Sequence, residues 1–220
     1  MNHLWKRAVA VLGVVALCTT AAMAQQRMFF GIATGGTGGT YYPLGGMLAQ
    51  LISNKATVDG KKISATAEAA GASVANAKLL GNKDIESAFV AADILDAAYN
   101  GKGQFQGAAI KNLRALGALY PETVQLITRA DSGINSVRDL KGKSISSGSP
   151  GSGQYQLLTD LLAVHGMSRA DVKEDLSSFT QAVDKIKDGN LHATLITAGV
   201  PTAAVTDFAQ SHALKVIPLA

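Results

Sequence analysis

The stretch TGGTGGTYYPLGG, residues 34–46, decides the fold class because it joins a predicted strand to a predicted helix. The apolar run Met28–Ala33 before it has the length of a strand. After it, apolar residues recur at helical spacing over residues 44–52. The four central glycines permit backbone conformations and close approaches that a Cβ atom would obstruct. A strand, a glycine-rich loop and a helix in this order predict an α/β unit.

The same loop has the chemistry of an anion-binding site. The hydroxyls of Thr37, Thr40, Tyr41 and Tyr42 arrive together where the helix begins. A helix N-terminus exposes unpaired N–H groups, and amides combined with hydroxyls suit a small anion. A tight turn that binds nothing is the alternative interpretation, because glycines often serve only close packing.

Nucleotide-binding motifs do not fit this loop. A P-loop requires Gly-Lys-Ser/Thr after its spacer, and no lysine occurs between Arg27 and Lys55. In the dinucleotide pattern G-x-G-x-x-G, Gly36 and Gly38 would require a glycine where Tyr41 stands. The loop therefore favours a small anion over a nucleotide.

Residues 1–24 have the pattern of a cleaved secretory signal. Lys6 and Arg7 precede an apolar run over residues 8–17, and Ala22-Met23-Ala24 fits an A-x-A cleavage site. The run is shorter than the roughly 20 residues of a membrane span, and an uncleaved anchor is the alternative. We therefore expect a periplasmic protein.

Without that segment the chain has 196 residues and contains neither cysteine nor tryptophan. This length is ample for a core of one or two domains without disulfides. The remaining 18 basic and 16 acidic residues give a net charge of +2, with no basic run interleaved with aromatics. Nucleic acid is therefore excluded as a partner. Because no run of 18 apolar residues follows the signal, we expect a soluble mature chain. We also expect it to be a monomer.

Short apolar runs alternate with helical patterns along the chain, which favours mostly parallel sheets flanked by helices. The predicted strands cover residues 28–33, 63–69, 87–92, 114–119, 123–128, 144–147, 192–197 and 214–218. The predicted helices cover residues 44–52, 73–80, 93–99, 154–164, 179–187 and 201–209. The pattern begins again after residue 122. We therefore predict a first lobe at residues 25–122 and a second lobe at residues 123–220.

A second glycine-rich loop, Gly148-Ser149-Pro150-Gly151-Ser152-Gly153, precedes the predicted helix of residues 154–164. Its Ser152 can hold a ligand oxygen, and capping of the helix is the alternative role. Both loops are predicted at the carboxyl ends of parallel strands, where open α/β sheets bind ligands. Two lobes that meet across a cleft would bring the loops face to face.

Three further helix starts carry weaker signals. Ser73 is predicted as an N-cap near Asn76, and Gly81 is predicted to end that helix. Asp93 begins the next helix, where capping alone would explain it. Gly199-Val200-Pro201 precedes the helix of residues 201–209, and a plain turn is the alternative.

Catalytic arrangements are sparse. No G-x-S-x-G motif surrounds Ser152, and the sequence has no H-E-x-x-H motif or cysteine cluster for a metal. The sequence therefore predicts a binding protein without catalytic residues, cofactor or metal. A periplasmic enzyme on a similar scaffold is the alternative, and it would need His165 or His192 beside a serine across the cleft.

The segment FFGIATGGTGGTYYPLGGMLAQLI resembles the opening of the TAXI family, the extracytoplasmic substrate-binding proteins of TRAP transporters. The similarity continues through GASVANAKLL (residues 71–80), Ala91-Ala92-Asp93, GSPGSG (residues 148–153) and KDGNLHATLITAGVPTAAV (residues 187–205). The resemblance implies a two-lobed, type II periplasmic-binding-protein-like fold. It also implies a small carboxylate-bearing solute, such as glutamate or a dicarboxylate, delivered to a TRAP membrane permease. A ligand-sensing domain that feeds a receptor is a further alternative.

Carried over by position, the resemblance implies ligand contacts from both lobes. From the first lobe it implies Thr37, Gly38, Gly39, Thr40, Tyr41 and Tyr42, with Ser73, Asn76 and Asp93. From the second lobe it implies Ser152, Gly153, Gln154, Gly199 and Pro201. Members of the family continue beyond an ALKVIPL-like strand and return to the first lobe. We therefore expect an incomplete first lobe in a chain that ends at Ala220.

Overall fold

Strand β1 (Met28–Ala33) lies at the centre of the first sheet in the computed structural model, which describes residues 28–219. It pairs in parallel with β3 (Lys61–Glu68) and with β4 (Ser87–Ala88). The short β2 (Thr57–Val58) pairs antiparallel with β3 and gives the order β2-β3-β1-β4. The predicted signal segment lies outside the described residues.

The first lobe has three helices, α1 (Tyr41–Lys55), α2 (Ser73–Asn82) and α3 (Ala92–Asn100), of which α3 packs against α2. Ala49 of α1 packs with Ile32 of β1 and Phe89 in one apolar cluster. The close approach of α1 to the sheet requires Gly45, because a Cβ atom there would lie 2.5 Å from Thr34 Cγ2.

The second sheet has the order β7-β6-β8-β5-β9. Its strands are β5 (Thr123–Arg129), β6 (Ser144–Ser146), β7 (Lys173–Asp175), β8 (Ala193–Ala198) and β9 (Leu214–Ile217). Strand β6 is parallel to β7 and β8, whereas β5 is antiparallel to β8 and β9. Thr123, the first residue of β5, pairs with Ala198, the last residue of β8. Because the chain enters the sheet at this end, β5 is antiparallel to its neighbours β8 and β9.

Helices α4 (Gln154–Val164), α5 (Phe179–Lys187) and α6 (Ala203–Ser211) cover the second sheet on both faces. Successive residues of β5 point to opposite faces, so Leu126 joins the cluster with α4 and Ile127 joins the one with α5 and α6. The prediction of an α/β fold with flanking helices is confirmed, and both sheets are mixed. None of the helices within residues 28–219 is long and apolar enough to span a membrane.

Residues 114–119, predicted as a strand, form no strand. Leu116 is 91% exposed and Leu119 is 60% exposed. A strand requires a neighbour that accepts its backbone hydrogen bonds, and no strand of the described residues pairs with this segment. Apolar composition alone therefore gave a wrong prediction here.

The boundaries around α2 and β4 also differ from the predictions. Helix α2 continues through Gly81 to Asn82, and Lys83 instead adopts the left-handed conformation at its end, with φ of 66°. Gly81 packs against Ile110, where a Cβ atom would lie 2.7 Å from Ile110 Cγ2. The predicted strand over residues 87–92 is only Ser87–Ala88, because Ala92 already begins α3.

Candidate ligand-binding cleft

A cavity of about 350 Å³ lies between the two lobes. The glycine-rich loop after β1 lines it from the first lobe, and Ser149 and residues 152–154 line it from the second. Residues 178–180 at the start of α5 and Thr197 near the end of β8 complete the second side. Both loops thus face one cavity, and its volume suits a small molecule.

Two residues of the cavity wall carry hydroxyl groups that are buried without a hydrogen-bond partner among the described residues. Ser152 is 4% exposed and immediately precedes Gly153, the N-cap residue of α4, but its side chain makes no capping hydrogen bond. The second hydroxyl is that of Thr197. Leaving a buried hydroxyl unpaired costs roughly 1–3 kcal/mol. Either hydroxyl could therefore gain its missing partner from a polar ligand in the cavity.

Backbone hydrogen bonds join the lobes on both sides of the cavity. The N–H of Ala204 donates to the Gly38 carbonyl oxygen at 3.1 Å. The N–H groups of Val74 and Ala75 both donate to the Gly151 carbonyl oxygen at 3.0 Å. The first amides of α2 are therefore capped by the opposite lobe, and the structure shows a closed cleft.

Glycine is required at both of these contacts. A Cβ atom at Gly38 would overlap Thr180 Oγ1 and lie 3.2 Å from Ala204 Cβ. Gly151 has φ of +84°, and a Cβ atom there would lie 3.1 Å from Ala75 Cβ. The two glycine-rich loops thus allow the lobes to approach each other as well as line the cavity.

The structure brings ten of the predicted contact residues into the cavity wall: Thr37, Gly38, Gly39, Thr40, Tyr41, Ser73, Asp93, Ser152, Gly153 and Gln154. The other four, Tyr42, Asn76, Gly199 and Pro201, lie outside the wall. That any of these residues contacts a ligand stays a prediction.

Asn76 has a different position from the one expected of a ligand contact. It is fully buried, and its Nδ2 donates at 2.8 Å to the carbonyl oxygens of both Thr34 and Phe89. Asn76 therefore ties the end of β1 to the segment after β4. Its amide group supports the loop that begins at Thr34 and does not reach the cavity.

Ser73 lies in the wall but is the first residue of α2, so its prediction as the N-cap is wrong. The N-cap residue is Ala72, with φ of 64°. Ser73 Oγ accepts a hydrogen bond from the Ala91 N–H at 3.0 Å and lies 3.4 Å from the Tyr41 hydroxyl. It therefore connects three segments of the first lobe beneath the cavity.

Gly199 and Pro201 lie at the rim of the cleft. The Gly199 N–H donates to Thr40 Oγ1 at 3.0 Å, a further hydrogen bond between the lobes. Pro201 lines a shallow neighbouring pocket with Gly39 and Thr40. Tyr42, the second residue of α1, is 36% exposed and lies outside both pockets.

Glu122 was missed by the sequence reasoning. It lies in the cavity wall with Asp93, and the described lining residues include no lysine, arginine or histidine. Burial raises the pKa of Glu122, and the charge of Asp93 raises it further, while hydrogen bonding to Tyr41 and Tyr120 lowers it. One signal in the sequence could have indicated Glu122: it lies two residues after Tyr120, at the predicted boundary between the lobes.

Two tyrosines lie beside Glu122. The rings of Tyr41 and Tyr120 meet edge to face at 6.4 Å, and Tyr41 also packs 5.2 Å from Phe89. Burial raises the pKa of both phenols above the ordinary tyrosine value, so both stay protonated and can donate hydrogen bonds.

The histidines do not form the pair that the enzyme alternative requires. His165 Nδ1 lies 2.8 Å from the Leu161 carbonyl oxygen, at the far end of α4 from the cavity. His192 Nδ1 lies 2.7 Å from Ser144 Oγ, where β6 and β8 begin, whereas the cavity lies where these strands end. The described part of the chain also contains no cluster of three metal-ligating side chains.

The two lobes and the cleft between them define the fold of the periplasmic binding proteins. The alkanesulfonate-binding protein SsuA from Xanthomonas axonopodis pv. citri, bound to MOPS, aligns over 87% of this chain and 60% of its own, with 18% identity and a TM-score of 0.55. Escherichia coli SsuA, a periplasmic aliphatic sulphonate binding protein, aligns over 86% and 60%, with 19% identity and a TM-score of 0.57. Holo ArgBP from T. maritima aligns over 86% and 76%, with 14% identity and a TM-score of 0.51.

This chain belongs to the NMT1-like family, whose sequence model matches residues 32–220. It spans about 60% of the length of the sulfonate-binding proteins that it matches. At identities below 20%, the similarity to these structures describes the fold.

Proposed function

We propose that this protein is a periplasmic, non-catalytic solute-binding protein that holds a small carboxylate-bearing solute between its lobes. The observation that carries the proposal is Ser152, a residue of the cavity wall beside the start of α4, whose hydroxyl is buried and unpaired within the described residues. Proteins of the same fold, among them an alkanesulfonate-binding protein and arginine-bound ArgBP, also support a role in binding small solutes.

The chemistry of the second lobe suits one carboxylate. The oxygens of the ligand would accept hydrogen bonds from the hydroxyls of Ser152 and Thr197 and from the first amides of α4. Each charge-assisted hydrogen bond contributes roughly 1.5–3 kcal/mol. Closure of the lobes removes water from the cavity and strengthens these bonds.

We further propose delivery of the solute to a membrane permease, with the lobes opening to release it. The TAXI resemblance supports a permease of the TRAP type. The solved structure of GshT, described with the cystine ABC importer TcyBC of Streptococcus mutans, shares the fold at 15% identity and supports the ABC type. Uptake by membrane vesicles that contain either permease, with this protein added, distinguishes the two.

A thermal-shift screen of amino acids, hydroxy acids and dicarboxylates tests the proposal. Ligand binding stabilises the folded state by RT ln(1 + [L]/Kd), which is roughly 4 kcal/mol at a thousandfold excess over Kd. Ser152→Ala should reduce the shift, whereas Ser211→Ala, on the exposed end of α6, should leave it unchanged. No shift with any carboxylate would contradict the proposal.

A further inference from the structure

The cavity wall has the wrong charge for a ligand that is only an anion. It contains the carboxylates of Glu122 and Asp93 and, among the described lining residues, no basic side chain. A dicarboxylate dianion would bring two further negative charges into the same enclosed volume of about 350 Å³. Like charges in a partly desolvated site repel strongly, so a second ligand group must offset the acidic wall.

We propose that the solute carries a protonated amine as well as a carboxylate, and that Glu122 binds the amine. This inference rests on the proposed carboxylate site at Ser152. The ligand is then a zwitterion such as an α-amino acid, whose two charged groups meet opposite partners in one cavity.

Glu122 is suited to this role because it is half-buried and has no cationic partner among the described residues. A buried carboxylate is normally paired, yet no ion pair within residues 28–219 includes Glu122 or Asp93. Asp93 lies in the first turn of α3, where the helix dipole favours its charge, but Glu122 lies just before β5 and has no such support. An ammonium group from the ligand would supply the missing partner.

The surroundings of Glu122 also favour an ammonium group. Tyr41 lies in the same cavity wall and hydrogen-bonds to Glu122, and aromatic rings attract cations. Burial raises the pKa of Glu122, so the wall favours either a neutral carboxyl group or a carboxylate paired with a cation. A neutral Glu122 carboxyl group could instead donate a hydrogen bond to a second carboxylate of the ligand. Binding of that kind would overturn the inference.

Matched ligand pairs distinguish these two states. The affinity of the purified protein is measured by calorimetry for L-glutamate and 2-hydroxyglutarate, L-aspartate and malate, and L-alanine and lactate. Within each pair only the amine is replaced by a hydroxyl. For the pair that binds best, we expect the amino acid to bind about tenfold or more tightly than the hydroxy acid.

Variants then assign the preference to Glu122. Glu122→Gln keeps the shape of the side chain and should reduce the amine preference to near one, without weakening the hydroxy acid. Asp96→Asn, which removes an exposed carboxylate of α3, should leave the preference unchanged. A hydroxy acid that binds as tightly as its amino acid, or a preference that persists in Glu122→Gln, overturns this inference alone. Absence of binding by every ligand overturns the carboxylate site and the inference with it.

Discussion

Substitution of Gly38 should weaken ligand binding because Gly38 lies where the lobes touch. In Gly38→Ala the new Cβ atom would overlap Thr180 Oγ1 and lie 3.2 Å from Ala204 Cβ and 3.4 Å from the Thr180 backbone nitrogen. Rotation of the Thr180 side chain can relieve the first contact. The distance to the Thr180 nitrogen is an ordinary contact, whereas the contact with Ala204 Cβ is tight and is relieved by a shift of a few tenths of an ångström between the lobes.

The size of the effect follows from the cost of overpacking. Extra methyl groups in a packed region cost typically about 1–3 kcal/mol. Here the cost falls only on the closed state, which is the state that binds the ligand under our proposal. Because about 1.4 kcal/mol is a factor of ten, Kd should rise by roughly 5- to 150-fold. Gly38→Val should lie at the upper end of this range.

Calorimetric titration with the carboxylate that gives the largest thermal shift measures this effect. Gly46→Ala is the matched control, because a Cβ atom at Gly46 in α1 would meet nothing within 4 Å. We expect Gly46→Ala to bind with unchanged affinity. Wild-type affinity in both Gly38 variants would refute the argument that closure through Gly38 accompanies binding.

Two further predictions concern stability. Asn76→Ala should lower the free energy of unfolding by about 1–3 kcal/mol for each carbonyl group that loses its donor, and an unchanged urea midpoint would contradict the assigned role. Glu122→Gln should stabilise the unliganded protein at pH about 8 but not at pH about 4. The reason is that burial raises the pKa of Glu122 above its ordinary value, so stability is highest while this group is protonated and is lost as the pH rises through the raised pKa. Equal urea midpoints of wild type and variant at both pH values would count against this assignment.

Much of the fold could be predicted because the local patterns agree with the tertiary structure. Met28–Ala33 is a strand by its apolar run, and the residues after the first glycine-rich loop are helical by their spacing. The direction of β5 could not be predicted, since it depends on where the chain enters the second sheet. The prediction of a strand at residues 114–119 was wrong for a related reason. Strand formation depends on a neighbouring strand, which the composition of the segment does not reveal.

The site was predicted best where loop chemistry and helix starts coincide. The loop of residues 148–153 was recognised by its glycines, and Ser152 lies in the cavity wall. Asn76 was misplaced because spacing along a helix does not distinguish a side chain that faces the cavity from one directed at backbone carbonyls. Glu122 was missed because no motif contains it, and its importance follows from burial and from the absence of a basic partner among the described lining residues.

Calorimetric titration of the wild-type protein and of Ser152→Trp tests the central claim most directly. The indole would fill the part of the cavity beside the start of α4, and far-UV circular dichroism checks that the variant keeps its secondary structure. Our account predicts saturable binding of one carboxylate-bearing solute per wild-type molecule and no measurable binding by a folded Ser152→Trp variant. Equal affinity of the two proteins would contradict the placement of the ligand between the lobes.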